Sequence, residues 1–264
     1  MAEQTATTTV EPDDWDSHWD AYSPMAAKNP AQAYRRRLAL RLLSAGGTPA
    51  RVLDIGSGQG DFLQSARRKW PRTELAGLEP SGSGIEETRQ KVPGARLLQR
   101  DLLRDEPPPP ELAGWATHAV CSEVLEHVDD DVRLMANARA FLSPRALTIV
   151  TVPGGRMSAF DRHIGHRRHY TPEALTATLR AAGYEVEWAA RAGFPFLNLY
   201  RQVVIARGTS LVQDVATTDG GQPGLPARLA MAVFHPLLRA TLTRSPWGTQ
   251  IVAAARAGAA AADR

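Results

Sequence analysis

Short apolar runs alternate with amphipathic helical runs over residues 51–191, and this alternation constrains the fold more than any other feature of the chain. A strand, a helix and a second strand in succession fold with the strands parallel and the helix packed on the sheet. The sequence therefore predicts an α/β fold with one doubly wound, mostly parallel sheet. The predicted strands are 51–55, 75–79, 95–99, 116–122, 147–152, 184–191 and 250–255.

Helices are predicted between these strands by their apolar spacing and by their stop signals. They cover 32–43, the residues after Gly60 as far as 69, the residues before 90, 131–142 and 172–182. The core domain is predicted over 32–193, with the last strand and a tail in 248–264. Residues 1–31 are interpreted as a leader or lid, with Trp15, Trp19 and Tyr22 available to cover a cofactor.

The segment 194–247 departs from the alternation and is interpreted as a helical insertion before the last strand. Apolar helices are predicted at 194–206 and 226–242, with a polar loop at 214–226 between them. The insertion is expected to cap the sheet edge or to form a homodimer contact. A helix lying on a membrane surface is the less favoured alternative, because Phe234, Leu237 and Leu238 lie beside Arg239.

Composition excludes several classes of protein. The single cysteine, Cys121, rules out an intramolecular disulfide. A net charge of +3 argues against nucleic acid as a partner, and we interpret the cluster Arg35–Arg37 as a solvated helix face. There is no signal-like start and no apolar run of the roughly 20 residues that a membrane span needs. These features predict a cytoplasmic enzyme without stable membrane insertion.

A glycine-rich loop, Gly56-Ser57-Gly58-Gln59-Gly60, follows the first predicted strand directly. Such a loop lets backbone amides approach a ligand closely. Its glycines alternate, whereas the pyrophosphate fingerprint of dinucleotide enzymes has a three-residue offset before its last glycine. Asp54 precedes the loop. An acid at this position disfavours a phosphate and suits a ligand that carries an ammonium group.

Two further acids follow strands at the same predicted edge. Glu79 ends the second strand, where a carboxylate can accept both hydroxyls of an unphosphorylated ribose. Asp101 follows the third strand, where it can bind the amine of an adenine or simply cap a turn.

Four segments together resemble the cofactor motifs of class I S-adenosylmethionine-dependent methyltransferases. They are VLDIGSGQGDFL, GLEPS, QRDLL and CSEVLEHVDD, in the order and at the spacing of that family over residues 51–152. The resemblance implies a seven-stranded sheet with an antiparallel last strand, and S-adenosyl-L-methionine as cofactor. It implies cofactor contacts from Asp54, Gly56, Ser57, Gly58, Glu79, Pro80, Asp101, Leu102, Ser122 and Glu123.

The segment after the fifth strand, residues 153–170, is expected to lie over the site, because parallel strands end at the ligand crevice. Its histidines are well matched to general base catalysis at neutral pH. We predict His166 or His169 as the base, with Arg168 and Tyr170 orienting the substrate. The alternative is that these groups fix the loop through hydrogen bonds and ion pairs with Asp161.

Glu123, Glu126 and His127 resemble the divalent-metal set of some O-methyltransferases. The same letters occur in metal-free relatives, where they open a helix and pack on the sheet. We favour that interpretation and predict no metal, because hard cations need more oxygen ligands than this motif supplies.

The favoured function is methyl transfer to a small molecule, on a hydroxyl of a natural product or sugar-containing metabolite. C- or N-methylation is the first alternative, and a non-methylating descendant that cyclises or only binds is the second. An NAD-dependent oxidoreductase is a distant third, because the glycine spacing argues against it.

Overall fold

The computed structural model describes residues 29–217 and 225–258. Trp15, Trp19 and Tyr22 lie outside these residues. The strands are β1 (Arg51–Ile55), β2 (Glu74–Glu79), β3 (Arg96–Gln99), β4 (Ala116–Ser122), β5 (Leu142–Pro153), β6 (Tyr184–Ala192) and β7 (Gln250–Ala257). The helices are α1 (Pro30–Leu43), α2 (Asp61–Lys69), α3 (Gly82–Lys91), α4 (Asp131–Arg139), α5 (Ala159–His163), α6 (Pro172–Ala181), α7 (Phe196–Thr217) and α8 (Leu225–Leu237).

The seven strands form one sheet in the order β3-β2-β1-β4-β5-β7-β6. Strands β1 to β5 pair in parallel, and β7 is antiparallel to both of its neighbours, β5 and β6. The predicted α/β fold with an antiparallel last strand is therefore confirmed. The order turns back at β1, so the carboxyl ends of β1 and β4 flank the crevice in which such sheets bind ligands.

Both faces of the sheet are covered, so its central strands are largely apolar. In β1, Leu53 and Ile55 belong to one apolar cluster and Val52 to the other, and none of the three is exposed. Helix α1 covers the second face. It begins at Pro30, two residues before the predicted start, because the Asn29 side chain accepts from the Ala31 amide and caps it.

The prediction for 131–152 is wrong at one boundary. Helix α4 ends at Arg139 instead of 142, and β5 begins at Leu142 instead of 147. Leu142 already pairs with Ala116 on β4, and the register shifts before His118 pairs with Leu147. The expected stop at Ser143 and Pro144 is thus an irregular strand start, which accommodates a proline at a break in the ladder.

The predicted insertion before the last strand is present as α7 and α8. The loop predicted at 214–226 is wrong at both ends, since α7 continues to Thr217 and α8 begins at Leu225. Gly208 lies inside α7, and no glycine or proline follows it before the helix ends at Thr217.

Phe234 and Leu238 are buried in the cluster that covers the second sheet face, as expected for a cap. In the described ranges, no helix has both the length and the apolar character that crossing a membrane requires.

Candidate active site

The glycine loop joins β1 to α2 at the carboxyl edge of the sheet. Gly56 and Gly58 have φ values of 70° and 52°, in the left-handed region that favours glycine. A Cβ on Gly56 would lie 2.5 Å from Cγ2 of Val124, so the chain after β4 leaves no room for a side chain here. The backbone conformation and the lack of space for a side chain therefore both require glycine at position 56.

Two buried carboxylates flank this loop. Glu79 accepts from the Gly58 amide at 2.8 Å and from the Ser81 amide at 3.2 Å. Asp54 is 3% exposed, and burial together with the nearby Glu79 carboxylate raises its pKa well above the usual value. The ionised form of Asp54 is therefore costly until a positive group joins it.

Ser57 and Pro80 complete this side of the site in different ways. The hydroxyl of Ser57 lies 2.9 Å from the position that a Cβ on Gly77 would occupy, so the side chain packs on β2. Pro80 is exposed, and its carbonyl accepts from the Gln99 side chain at 3.0 Å. The Ser57 backbone is also engaged, since its amide donates to the Leu78 carbonyl at 3.0 Å and its carbonyl accepts from the Gly60 amide at 2.9 Å.

Asp101 and Leu102 follow β3. Oδ1 of Asp101 accepts from the Leu103 amide at 2.9 Å, and Oδ2 lies 3.4 Å from Nε of Arg104. The Asp101 side chain is 43% exposed, so this turn leaves it accessible to a ligand. Leu102 is buried, and its carbonyl accepts from Asn137 on α4.

A polar network surrounds the end of β4. Ser122 hydrogen-bonds to Thr151 at 2.8 Å, and Thr151 donates to Oε1 of Glu123 at 3.2 Å. Gln250 donates to the same oxygen at 2.8 Å, and Arg35 forms an ion pair with Oε2 at 2.8 Å. Glu123 has a φ of 57°, a backbone conformation that few side chains adopt without such support.

Arg35 and Gln250 were not predicted as site residues. The prediction of a solvated face is wrong for Arg35, whose side chain is only 17% exposed because it faces Glu123. Gln250 begins β7, the central strand of the antiparallel ladder. Their proximity to Glu123 depends on long-range packing, and no local pattern in the sequence indicates it.

The segment 153–170 contacts the chain segment that follows β4. The Arg167 amide donates to the Glu126 carbonyl at 2.7 Å. Tyr170 donates to Asp131 at 2.6 Å and to the Leu125 carbonyl at 3.1 Å. Burial and the Asp131 bond raise the pKa of Tyr170 above its usual range, so the phenol is a donor at neutral pH.

Arg168 also contacts the chain segment after β4. It donates to the Asp129 carbonyl at 2.7 Å and lies 3.4 Å from Oδ2 of Asp131. Arg168 and Tyr170 therefore share one acid as a partner, and both contacts hold the loop in place.

His166 and His169 contact each other. Nδ1 of His166 lies 3.2 Å from Nε2 of His169, and Nδ1 of His169 lies 3.1 Å from the Gly155 carbonyl. Burial and the His127 ring lower the pKa of His166 to about 3, and burial also lowers the pKa of His169. Both rings are neutral at neutral pH.

Asp161 was expected to pair with this loop and lies 3.8 Å from His169. Its stronger partners are Ser158, through a capping box at the start of α5, and Arg201 of α7 at 2.7 Å. The helix α5 was not predicted, although the spacing of Ser158 and Asp161 matches that of a capping box.

Glu126 and His127 lie in a single 3₁₀ turn, Leu125–His127. Glu126 is not exposed, and burial and the Glu123 carboxylate raise its pKa well above the usual value. The His127 and His166 rings meet edge to face with centroids 4.8 Å apart. The three residues that resemble a metal-binding motif are thus divided, because Glu123 faces Arg35 and Gln250 while Glu126 and His127 face the loop.

Comparison with known proteins identifies the family. A family described as a methyltransferase domain matches residues 25–188. The chain belongs to this methyltransferase family. The sequence resemblance and the fold class predicted from it are confirmed.

Curated relatives include a trans-aconitate 2-methyltransferase of Methylobacterium nodulans. It is 30% identical over 107 residues, which make up 40% of this chain and 39% of that protein. The match spans about two-fifths of the length of such relatives.

Among solved structures, phosphoethanolamine N-methyltransferase 2 of Haemonchus contortus, in complex with S-adenosyl-L-methionine, has a TM-score of 0.61. It is 13% identical, with 94% of this chain and 61% of that chain covered. The [4+2]-cyclase SpnF has a TM-score of 0.54 at 17% identity, with 85% and 82% covered. These likenesses show a shared fold.

The cofactor of this fold family fits the residues at the site. Gly56 and Gly58 have left-handed φ values that keep the loop free of side chains, and the buried acids Asp54 and Glu79 match a ligand with positive groups. S-adenosyl-L-methionine carries both a sulfonium and an ammonium group. When bound, it supplies an electrophilic methyl group.

Proposed function

We propose that this chain is a methyltransferase that moves the methyl group of S-adenosylmethionine to a hydroxyl oxygen of a small molecule. The observation that carries the proposal is the pair of buried acids, Asp54 and Glu79, beside a left-handed glycine loop. Carboxylates at these positions disfavour the diphosphate of a dinucleotide and favour a cationic nucleoside.

Each predicted cofactor residue has a role in this proposal. Asp54, Gly56 and Gly58 hold the methionine end, Glu79 holds the ribose, and Asp101 holds the adenine. Ser57, Pro80 and Leu102 shape the same walls, while Ser122 and Glu123 face the reacting end. Methyl transfer is an in-line displacement, so the main tasks of these residues are alignment and exclusion of water.

Activation of the acceptor is proposed for the histidines above the end of β4. The Gly155 carbonyl can only accept, so Nδ1 of His169 carries a proton and Nε2 of that neutral ring accepts. Nδ1 of His166 is then the donor between the rings, and Nε2 of His166 carries a lone pair. His166 is thus the group that acts on the acceptor oxygen, and His169 is a positioning residue.

Arg168 and Tyr170 are proposed to orient the substrate by fixing the loop, since both bind Asp131. A C- or N-methyltransferase, or a cyclase that keeps the cofactor, would have the same nucleoside site. Full turnover by folded His166→Ala and His169→Ala variants would favour those alternatives. A hydroxyl acceptor requires that His166→Ala lose activity.

Calorimetric titration with S-adenosylhomocysteine, and with NADH in parallel, tests the cofactor class. We expect micromolar binding of the nucleoside and none of NADH. Glu79→Ala should weaken binding about 10–100-fold, since it leaves polar groups without their partner. Glu74→Ala is the matched control, because Glu74 lies at the other end of β2 and pairs with exposed Arg96. A preference for NADH, or no nucleoside binding, would remove the methyltransferase proposal.

A further inference from the structure

Glu126 is a fully buried acid whose carboxylate lacks a partner. Its exposed fraction is 0%, and neither Oε1 nor Oε2 has a hydrogen-bond partner in another residue of the described ranges. A buried carboxylate is costly unless it is neutral, paired or bound to a cation. The carbonyl of Glu126 is fixed by the Arg167 amide, so the residue is held at this position.

Two imidazoles face this carboxylate. One ligand atom from each of Glu126, His127 and His166 can be chosen so that all three lie within 4.8 Å of one another. His127 is the next residue in the same 3₁₀ turn, whereas His166 comes from the loop that the Arg167 amide holds against that turn. Two nitrogen donors and one oxygen donor therefore lie close enough together to surround one ion.

The ring of His166 has the tautomer that a metal ligand needs. Its Nδ1 donates to His169, so the lone pair lies on Nε2. Metal-binding histidines characteristically donate their second ring nitrogen to a neighbouring acceptor, which fixes the orientation of the ring. His169 and the Gly155 carbonyl provide this support.

The neighbouring acids are engaged elsewhere. Both oxygens of Glu123 are bound, by Arg35 and Gln250 among others. Asp161 accepts from Ser158 and pairs with Arg201. The structure therefore selects Glu126, and not the other two carboxylates, as the acid that is able to take a new ligand.

We propose that Glu126, His127 and His166 bind one divalent transition-metal ion. Two imidazoles and one carboxylate suit Zn²⁺, Co²⁺, Mn²⁺ or Fe²⁺, whereas Mg²⁺ and Ca²⁺ prefer all-oxygen sites. A tetrahedral ion with ligands at about 2.1 Å holds its ligand atoms about 3.4 Å apart, so binding requires only small side-chain rotations.

Three protein ligands leave a position open on such an ion. An acceptor hydroxyl bound there would become more acidic and would release its proton to solvent water, because Nε2 of His166 would then bind the ion instead of acting as the base. This use of the ion rests on the proposed function, whereas binding of the ion does not.

Titration of the chelator-treated full chain with Co²⁺ alone tests the site, followed by calorimetry and by the visible ligand-field spectrum. We expect one ion per chain. Glu126→Gln and His166→Asn should lower the affinity by more than the roughly 10–100-fold that loss of a supporting group costs. His169→Asn should fall within that range. His163→Asn is the matched control, because His163 is exposed in the same loop and should leave binding unchanged.

A thermal melt checks that each variant is folded. If Glu126→Gln does not fold, the Co²⁺ affinity of His166→Asn is the deciding measurement. No binding by the wild-type chain up to millimolar Co²⁺ would overturn the proposal. Equal binding by the wild type and a folded His166→Asn would do the same, since the ion would then lie elsewhere. Nucleoside binding without Co²⁺ binding would overturn the metal proposal and leave the methyltransferase proposal standing. Co²⁺ binding without nucleoside binding would overturn the methyltransferase proposal and leave the metal proposal standing.

Discussion

Arg35 of α1 lies 2.8 Å from Oε2 of Glu123, the first residue after β4, and the two side chains are 17% and 10% exposed. Nε of Arg35 also donates to Gln250 at 2.9 Å. Helix α1 thereby supports a residue whose backbone is in the left-handed region.

Arg35→Ala should destabilise the fold by about 1–3 kcal/mol, because it leaves the Glu123 carboxylate buried without its charged partner. Urea unfolding measures this change. Arg145→Ala is the control, since Arg145 pairs at 3.4 Å with Glu185, both side chains are mostly exposed, and the change should cost less than about 1 kcal/mol. A double-mutant cycle with Glu123→Gln should show coupling, and additive single changes would contradict the role assigned to the pair.

Asp54→Asn should stabilise the ligand-free protein and weaken nucleoside binding. The pKa of Asp54 is raised in the folded chain, so the folded state binds more protons than the unfolded state above the ordinary pKa. The contribution of Asp54 to the free energy of unfolding therefore decreases as pH rises from the ordinary carboxyl pKa to the raised pKa. The variant removes the effect and should melt about 2–4 °C higher for each kcal/mol of repulsion relieved.

Melting curves between pH 4 and pH 8, with and without S-adenosylhomocysteine, measure both effects of Asp54→Asn. The wild type should lose more stability than the variant over this interval. Parallel pH profiles for the two proteins would show that Asp54 carries no charge penalty. Undiminished nucleoside binding by the variant would show that the Asp54 charge does not hold the ligand.

Gly56→Ala should be destabilising for two separable reasons. The φ of 70° costs about 1–2 kcal/mol with a side chain present, and the new Cβ would overlap Val124. Adding Val124→Ala should relieve the overlap and leave the cost of the backbone conformation. Urea unfolding measures the free energy of unfolding of each variant. Complete recovery in the double variant would argue that conformation at Gly56 is unimportant.

Tyr170→Phe should make the loop over the site open more often, because it removes the bonds to Asp131 and Leu125. We expect faster tryptic cleavage after Arg162, Arg167 or Arg168. Tyr184→Phe is matched, since it also removes one buried phenol bond, to the Met135 carbonyl at 3.2 Å. Equal cleavage of both variants would mean that Tyr170 contributes only general stability.

The sheet was predictable because strands buried on both faces are nearly continuous apolar runs, as β1 and β5 are. The glycine loop was predictable for a similar reason, since Gly56 and Gly58 are dictated by local backbone geometry. Boundaries failed where tertiary pairing overrides local signals, as when Ala116 draws Leu142 into β5.

The acceptor side of the site was less accessible from sequence. Histidines 166 and 169 were recognised as candidates, but only folding shows which ring nitrogens are already bonded. Arg35 and Gln250 were missed because 215 positions separate them, and neither residue type marks a site by itself.

The placement of β7 has a consequence for the growing chain on the ribosome. Among the strands of the described residues, β6 pairs with β7 alone, and helices α7 and α8 separate these two strands along the chain. Synthesis at about 5–20 residues per second therefore leaves β6 without a pairing strand for several seconds. The bond from Arg35 to Gln250 closes after roughly 10–40 s of synthesis, so a nascent chain cannot assemble this end of the site until β7 has emerged.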